Sequence, residues 1–298
     1  MAGLTLVHPV FLVHDETERL ANSPYFPLGL LYLASYARDH GHEVSVFDAT
    51  FAAGHDDFVA HLTEHQPDIV GISALVTSRD AALALAEIAR TSETIVVLGG
   101  PDPTTNPAPY LAHEAVDLVV HHEGEQTIVA LLDRIDAGTF TPDALADELG
   151  IAFRRDGRTH INQPRPPIED LDELPTPARD LIDMEKYLNV WETGRGYTSV
   201  TVSATRGCPF GCEWCEDAVH GTDFRQRSPE SIAAEVNEIV ERYQPESIRL
   251  VDDITGIDPS WFDAWSSEAD RLKTDVSFEP LDRVAIDNLP LLEVRDCL

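Results

Sequence analysis

The pattern of hydrophobic and polar positions in the first half of the chain switches regularly between two periods. Runs of apolar and β-branched residues predict buried strands at 4–13, 43–48, 69–75, 94–98 and 118–121. Segments with helical periodicity lie between them, at 28–40, 57–65, 80–90 and 126–137. Alternation of buried strands with amphipathic helices predicts a doubly wound parallel sheet that is covered by helices on both faces.

The second half of the chain repeats this alternation after a different kind of segment. An alternating stretch interrupted by Asp156-Gly157 predicts a β-hairpin at 151–162, and a proline-rich stretch follows at 163–179. Further strands are predicted at 197–204, 247–251 and 276–279, with helices at 229–243 and 261–273. That order is typical of a barrel or part of one. We therefore expect three regions, namely a sheet domain at 1–140, a hairpin and linker at 141–194, and the start of a partial barrel at 195–298.

Two loops in the predicted first sheet are candidates for ligand binding. Open parallel sheets bind ligands in the crevice at the carboxyl ends of their strands. The loops in that place are Gly71-Ile-Ser-Ala-Leu75 and Gly99-Gly-Pro-Asp-Pro103. Adjacent glycines allow the backbone to approach a bulky ligand closely. The alternative is that Gly99 and Gly100 only make a tight turn.

The charge of the chain is strongly negative. Asp and Glu number 53 against 21 Lys and Arg, which gives a formal net charge of -32. A surface of this kind repels phosphate backbones and anionic membranes, so we expect neither as a partner. The acidity is spread along the chain, which favours adaptation to a salty cytoplasm over an ordinary acidic surface. Neither a leader segment nor a stretch long enough to span a bilayer is found, so we expect a soluble, cytoplasmic protein.

Three of the four cysteines fall within eight residues, at Cys208, Cys212 and Cys215. They follow directly on a predicted strand, where barrel enzymes place their chemistry. Thiolates are soft ligands suited to iron-sulfur clusters or zinc. A closed zinc site requires four protein ligands, and only His220 is near enough in sequence to complete one, because Cys297 is remote. Three thiolates and an open metal position therefore favour an iron-sulfur cluster, with zinc or redox thiols as the alternative.

The surrounding motif resembles that of a known family. Arg206-Gly-Cys208-Pro-Phe-Gly-Cys212-Glu-Trp-Cys215 is similar to the cluster motif of the radical S-adenosylmethionine superfamily. Other segments resemble members that carry a Rossmann-like cobalamin-binding domain: 27–34, 70–73, 99–101, 116–125, 224–229 and 251–253. The resemblance covers nearly the whole chain, and it implies a cobalamin-binding domain followed by a truncated partial (β/α) barrel.

The resemblance also implies cofactors and site residues. In this family three cysteines bind a 4Fe-4S cluster whose fourth iron chelates S-adenosylmethionine, and an electron donor reduces the cluster so that S-adenosylmethionine is cleaved to a radical. Trp214 would then lie beside the adenine, and Asp252 or Asp253 would bind the ribose or amino group. The alternatives are core packing for the tryptophan and helix capping for the aspartates. The implied cobalamin-binding residues are Ser73, Leu75, Gly99, Gly100, Pro101 and Glu125.

The sequence departs from the family pattern in two places. The segment 14–19 lacks the Asp-x-His-x-x-Gly motif whose histidine ligates cobalamin in many such domains. A domain that binds no cobalamin is therefore the alternative to cobalamin binding. The barrel region also has fewer strand-helix units than is usual for the family, so a fragment, a partner chain that completes the barrel, or a compromised enzyme are all open.

The sequence as a whole predicts a cobalamin-dependent radical S-adenosylmethionine enzyme that methylates or rearranges an unactivated carbon of a small molecule. The alternatives are a non-catalytic cofactor-binding module, half of a split enzyme, and a zinc-binding structural domain. Substrate identity does not follow from the fold.

Overall fold

The chain folds around two sheets whose parallel strands are joined by helices. The computed structural model describes residues 1–90, 94–210, 212, 215, 218–254, 257–272 and 274–280. The strands of the first sheet are β1 (Gly3–His8), β2 (Glu43–Asp48), β3 (Ile69–Ser73), β4 (Ile95–Gly99), β5 (Leu118–Val120), β6 (Ile151–Arg155) and β7 (Arg158–Ile161). They lie in the order β2-β1-β3-β4-β5-β6-β7. The first five are parallel, and the β6–β7 hairpin adds to β5 in antiparallel sense.

Helices pack on both faces of this sheet. The helices of the whole described chain are α1 (Glu16–Ala21), α2 (Leu28–Asp39), α3 (His55–His65), α4 (Arg79–Ala89), α5 (Pro101–Thr105), α6 (Pro107–Leu111), α7 (Glu125–Asp136), α8 (Pro142–Leu145), α9 (Met184–Arg195), α10 (Pro229–Tyr243) and α11 (Pro259–Ala269). Leu4 and Leu6 of β1 share a core with α2 and α7, whereas Val7 packs with α3 and α4 on the opposite face. Both faces are apolar, which is the arrangement expected of a doubly wound fold.

One predicted strand was too long. We expected a strand over 4–13, but β1 ends at His8 because Pro9 has no N–H to continue the ladder. The short helices α5 and α6 were not predicted, and each begins with a proline at its first turn, where the missing N–H costs no hydrogen bond.

The second sheet carries the strand-helix order of a partial barrel. Beyond α9 the strands are β8 (Ser199–Val202), β9 (Thr205–Arg206), β10 (Arg225–Gln226), β11 (Ser247–Leu250) and β12 (Ser277–Pro280). Strands β8, β11 and β12 are parallel neighbours in chain order, with α10 and α11 in the connections. Strands β9 and β10 form a separate antiparallel ribbon.

The segment between the two sheets is ordered and packed. Ile168, Leu171 and Leu174 of the proline-rich stretch are buried against Tyr32 of α2. Helix α9 follows, and its Tyr187 donates its hydroxyl to Asp48 at 2.7 Å. The predicted domain boundaries at 140 and 194 stay predictions.

A single buried cluster of apolar side chains runs from the α2 and α7 face of the first sheet to the strands of the second. Val200 and Val202 of β8 and Ile248 and Leu250 of β11 belong to this cluster. Burial of this kind is the main stabilising contribution in folding, so the two sheets are held as one packed body. No helix in the described part of the chain is long and apolar enough to cross a membrane.

Candidate functional site

A cavity opens where the carboxyl ends of both parallel sheets face each other. In the first sheet the chain goes from β1 to β2 on one side and then to β3, β4 and β5 on the other side. The strand order therefore reverses its direction between β1 and β3. Ligands of doubly wound folds bind at this point. The cavity there has a volume of about 490 Å³, within the range of small-molecule sites.

The cavity has an apolar floor and a polar mouth. Leu6, Gly71 and Val97 line it from the interior of the first sheet. Ser203 follows β8 and Asp253 follows β11, so the second sheet contributes the opposite wall. A ligand in this space would therefore contact both sheets.

The residues that we predicted to bind cobalamin all line this cavity. Ser73 and Gly99 are neighbours in register at the ends of β3 and β4, and Leu75, Gly100 and Pro101 follow them. The sixth residue, Glu125, lines the cavity as well. The structure thus brings together residues that are up to 52 positions apart in sequence, although their contact with a ligand stays a prediction.

Gly100 is required by close packing of the backbone at this mouth. Its φ of +98° lies in the region that residues other than glycine rarely adopt. A Cβ at this position would lie 3.0 Å from the carbonyl oxygen of Ala74 and 3.2 Å from Oγ of Ser73. Gly100 is therefore required by the packing of this turn, whereas a Cβ at Gly99 would make an ordinary contact 3.5 Å from the carbonyl oxygen of Val120.

The cysteine loop rises from the β9–β10 ribbon at the other side of the cavity. The backbone N–H of Cys208 donates to the carbonyl of Gly221 at 3.2 Å, which closes the base of the loop. Gly207 has a φ of +78°, and a Cβ there would lie only 2.4 Å from the carbonyl oxygen of Asp223. The glycine before the first cysteine is therefore needed for the loop to close.

The three cysteine thiols are free and lie near one another. Cys208 and Cys212 are half-buried, whereas Cys215 is exposed. Some desolvation, followed by the nearby Cys212 and Cys208 thiols and the Asp253 carboxylate, raises the pKa of the exposed Cys215 thiol. Groups that would repel one another as anions are stabilised together by a cation. Trp214 and Cys297 lie outside the described residues.

The donor set suits an iron-sulfur cluster more than it suits a closed zinc site. The thiol sulfurs are soft donors, and three of them leave one position of a cluster open. His220, the candidate fourth zinc ligand, is paired with Glu123 at 3.4 Å. Among the described residues, no three His, Cys, Asp or Glu side chains are already grouped tightly enough to hold a metal ion. The fit of a cluster therefore rests on the type and placement of the donors.

The two aspartates after β11 have different surroundings. Asp252 is buried, and its Oδ1 accepts hydrogen bonds from the backbone N–H groups of Ala204 at 2.6 Å and Thr205 at 2.8 Å. Asp253 accepts from the N–H of Gly207 at 3.1 Å and lines the cavity. These hydrogen bonds join both aspartates to the segment that follows β8. Asp253 thus lies in the cavity wall, whereas Asp252 organises the turn after β8.

Four buried charges join the cysteine loop to the first sheet. Arg206 Nη2 lies 2.6 Å from Oε1 of Glu125, and Arg225 Nη2 lies 2.6 Å from Oε1 of Glu123. The exposed fraction of each of these side chains is 8% or less. Their burial distinguishes these contacts from exposed surface ion pairs. Glu125 therefore has an ion-pair partner as well as a place in the cavity wall.

The pKa of the Glu123 carboxyl is held well below its usual range. Burial alone would raise this pKa. Hydrogen bonds from His220 and Arg225, the charge of Arg206 and the backbone N–H of Ile168 together outweigh the effect of burial and lower the pKa. Glu123 is therefore a carboxylate at neutral pH, which keeps the two neighbouring guanidinium groups neutralised.

Two histidines at the cavity were not assigned to it from the sequence. His8 ends β1 and lines the cavity, and burial lowers its pKa despite the nearby carboxylate of Asp48, so the imidazole is neutral at pH 7. His122 has a φ of +62° and also lines the cavity. The end of β1 was obscured because the predicted strand ran five residues too far. A correct strand end would have placed His8 at the ligand-binding edge of the sheet.

Comparison with known proteins agrees with this arrangement. Residues 20–132 match the B12 binding domain family. The chain is 32% identical over 260 residues to an uncharacterised methyltransferase of Pyrococcus horikoshii, covering 83% of this chain and 54% of that protein. It is 30% identical over 254 residues to the anaerobic magnesium-protoporphyrin IX monomethyl ester cyclase of Rubrivivax gelatinosus, covering 83% and 44%. The chain spans about half the length of these relatives.

The fold is shared with a solved enzyme. The cobalamin-dependent S-adenosylmethionine radical enzyme OxsB, solved with aqua-cobalamin and S-adenosylmethionine bound, superposes with a TM-score of 0.77 over 93% of this chain and 38% of that one, at 19% sequence identity. Residues 20–132 thus match the B12 binding domain family, and the chain shares the fold of a solved cobalamin-dependent S-adenosylmethionine radical enzyme.

Proposed function

We propose that this chain binds cobalamin at the edge of the first sheet and a 4Fe-4S cluster at Cys208, Cys212 and Cys215, and that it cleaves S-adenosylmethionine reductively. The observation that carries the proposal is the shared cavity. Its walls come from the ends of β3 and β4 on one side and from residues that follow β8 and β11 on the other. Cofactors held by the two sheets would therefore face each other across one space.

The residues present suit both groups. Gly100 keeps a backbone cradle open in which a Cβ would clash, and the apolar floor between Leu6 and Val97 can take a bulky, weakly polar ligand. Cys208, Cys212 and Cys215 supply the soft donors for a cluster. When bound, the cluster supplies the electron for cleavage, and cobalamin serves as a carrier of a transferable group.

The roles of the protein in this scheme are to bind, orient and exclude water. Asp253 lies between the cysteine loop and the cavity, where its carboxylate can accept hydrogen bonds from a cosubstrate. The cavity wall formed by the two sheets limits access of solvent to the reacting groups. An electron donor, a small-molecule substrate and a partner chain that completes the barrel stay predictions.

Anaerobic reconstitution tests the proposal. The chain is incubated with iron, sulfide and hydroxocobalamin, desalted, and analysed for iron, sulfide and cobalt, and then given S-adenosylmethionine and a reductant. We expect bound cluster, bound cobalt and formation of 5'-deoxyadenosine. The Cys212→Ser variant should lose the cluster, whereas Cys297→Ser, which lies outside the motif, should keep it.

Each outcome that contradicts the proposal favours a different alternative. A colourless chain that holds zinc would contradict the cluster, and an absence of bound cobalt would favour a domain that binds no cobalamin. A chain that binds both groups yet forms no 5'-deoxyadenosine would favour a non-catalytic module or half of a split enzyme.

We propose methyl transfer to an unactivated carbon as the reaction outcome. The support is the relation to the methyltransferase of Pyrococcus horikoshii, whereas the relation to a cyclase keeps rearrangement as the second candidate. Methyl donation from S-adenosylmethionine to reduced cobalamin leaves S-adenosylhomocysteine, so this product should form beside 5'-deoxyadenosine only when cobalamin is bound, in an amount up to that of the cobalamin when no methyl acceptor is added. Formation of 5'-deoxyadenosine alone would contradict methyl transfer.

A further inference from the structure

The base of the cysteine loop contains two arginines that face each other. In the β9–β10 ribbon Arg206 and Arg225 are direct partners in antiparallel register. Like charges placed directly opposite each other on neighbouring strands are destabilising. The ribbon has only two residues in each strand, so its own hydrogen bonds offset little of this repulsion. Something outside the ribbon must hold it closed.

Two carboxylates that follow β5 of the first sheet hold the ribbon closed. Glu123 lies in the turn between β5 and α7, and Glu125 is the first residue of α7, about 80 to 100 positions before the arginines. Glu125 pairs with Arg206 at 2.6 Å, and Glu123 pairs with Arg225 at 2.6 Å and lies 3.6 Å from Nη1 of Arg206. Two positive and two negative charges therefore balance in a buried space, and we call these four residues the charge latch.

The charge latch also contacts the proline-rich stretch and helix α2. Glu123 accepts the backbone N–H of Ile168 at 3.0 Å, and Arg225 Nη1 donates to the carbonyl of the same residue at 2.8 Å. The ring of Tyr32 in α2 lies 5.4 Å from the guanidinium carbon of Arg206. Buried ion pairs with such additional partners fix one geometry, because any other arrangement leaves a buried charge unpaired.

We propose that Glu123 and Glu125 are positioning residues that set the orientation of the cysteine loop relative to the cavity, and with it the separation between the cluster and cobalamin. This inference rests on the proposed function. Both carboxylates and Arg206 line the cavity, so the latch lies between the two cofactor sites. A displacement of about 1 Å between reacting groups can cost on the order of 100-fold in rate, which makes such fixing consequential.

The decisive measurement is the magnetic coupling between the two cofactors. The full chain is loaded with cob(II)alamin and a reduced cluster, and the spin-spin interaction between the two paramagnetic centres is measured by electron paramagnetic resonance. We expect a single well-defined interaction in the natural chain. Glu123→Gln should keep its iron and cobalt content but lose that single interaction in favour of a broad distribution, and Glu125→Gln should lose it in the molecules that retain cobalt.

The matched control is Glu235→Gln. Glu235 is fully buried and is paired with two arginines, Arg179 at 2.6 Å and Arg227, but it lines no part of the cavity. This variant should keep the single interaction. An unchanged interaction in Glu123→Gln and Glu125→Gln would overturn the inference, as would an equal change in Glu235→Gln, which would point to general destabilisation.

A double variant keeps the inference testable if the single variants do not fold. Removing one carboxylate leaves a guanidinium unpaired in a buried site, which can cost about 3–5 kcal/mol. Glu125→Gln combined with Arg206→Gln removes both charges of one pair, so the chain should fold and still lose the single interaction. A double variant that folds with the interaction unchanged would also overturn the inference.

A measurement without cofactors separates this inference from the proposed function. Hydrogen exchange of the cofactor-free chain should show that the amides of Arg206 and Arg225 exchange about tenfold or more faster in Glu125→Gln, as expected for loss of a charged hydrogen bond. The Glu235→Gln control should exchange at the natural rate there. A natural chain that takes up neither iron nor cobalt contradicts the proposed function, whereas unchanged exchange in Glu125→Gln contradicts the latch.

Discussion

Gly100 lies at the cavity mouth in a turn that leaves no room for a Cβ. Its backbone conformation is almost confined to glycine, and a Cβ would meet Ala74 and Ser73. We expect Gly100→Ala to lower the free energy of unfolding by about 1–3 kcal/mol and to weaken cobalamin binding. Urea unfolding of the cofactor-free chain and titration with hydroxocobalamin measure the two effects.

Gly138 provides the control for this substitution. It also has a positive φ, +65°, but a Cβ there would meet nothing within 4 Å. Gly138→Ala should therefore cost only the backbone strain, about 1 kcal/mol, and leave cobalamin binding unchanged. Equal cobalamin affinity in Gly100→Ala and the natural chain would contradict a role for the cradle.

The lowered pKa of Glu123 gives a pH dependence with a definite sign. A carboxyl whose pKa is lower in the folded than in the unfolded chain stabilises the fold above its unfolded value, here about 4.5, and loses that contribution as the pH falls below it. The natural chain should therefore be more stable than Glu123→Gln at pH 7, with a difference that shrinks below about pH 4.5. Urea unfolding of both proteins from pH 7 down to about pH 3 checks this, and parallel profiles would contradict it.

Some residues of the candidate site could be predicted from the sequence, and others could not. Ser73, Gly99 and Gly100 could be placed at the cavity because the ends of parallel strands must meet at one edge. The ion pair of Glu125 could not be foreseen, because its partner Arg206 lies 81 positions later and periodicity carries no information on contacts at that range.

Among the elements, Asp252 links two strands through a buried carboxylate. It accepts the N–H groups of Ala204 and Thr205, which follow β8, from its own position after β11. Asp252→Ala should leave these amides without their acceptor, at about 1–3 kcal/mol for each one. Urea unfolding measures the cost, and the exposed Asp263→Ala on α11 serves as the control. A loss in Asp252→Ala no larger than in the control would contradict the role.

The elements with strong periodicity were predicted well. The strand at 43–48 and the helix at 229–243 have the predicted bounds, because an alternating pattern and a capped amphipathic pattern define them without tertiary help. Helix α9 was missed although Met184, Tyr187 and Trp191 recur at helical spacing and are all buried. The preceding prolines favoured an extended linker, and the docking of Tyr187 on Asp48 is a long-range contact.

For the molecule as a whole, the net charge of -32 gives a prediction about salt. Repulsion among so many carboxylates opposes the compact state, and screening weakens it. Raising potassium chloride from about 0.1 M to about 1 M shortens the screening length from about 10 Å to about 3 Å. We expect the midpoint of thermal unfolding to rise over this range, as it should for a chain adapted to a salty cytoplasm.

Sodium chloride should act like potassium chloride if screening is the cause. Differential scanning calorimetry of the cofactor-free chain measures both series. A midpoint that stays constant or falls in either salt would favour an ordinary acidic protein over salt adaptation.

The charge latch also has a consequence for biosynthesis. The ribosome releases Glu123 and Glu125 with the first sheet well before Arg206 and Arg225 emerge, so the counter-charges are already in place when the ribbon forms. A circularly permuted gene that begins with the second sheet would reverse this sequence of events. Its nascent ribbon would present two unopposed guanidinium groups, and the thiols between them would be left open to oxidation and mispairing until the rest of the polypeptide arrived.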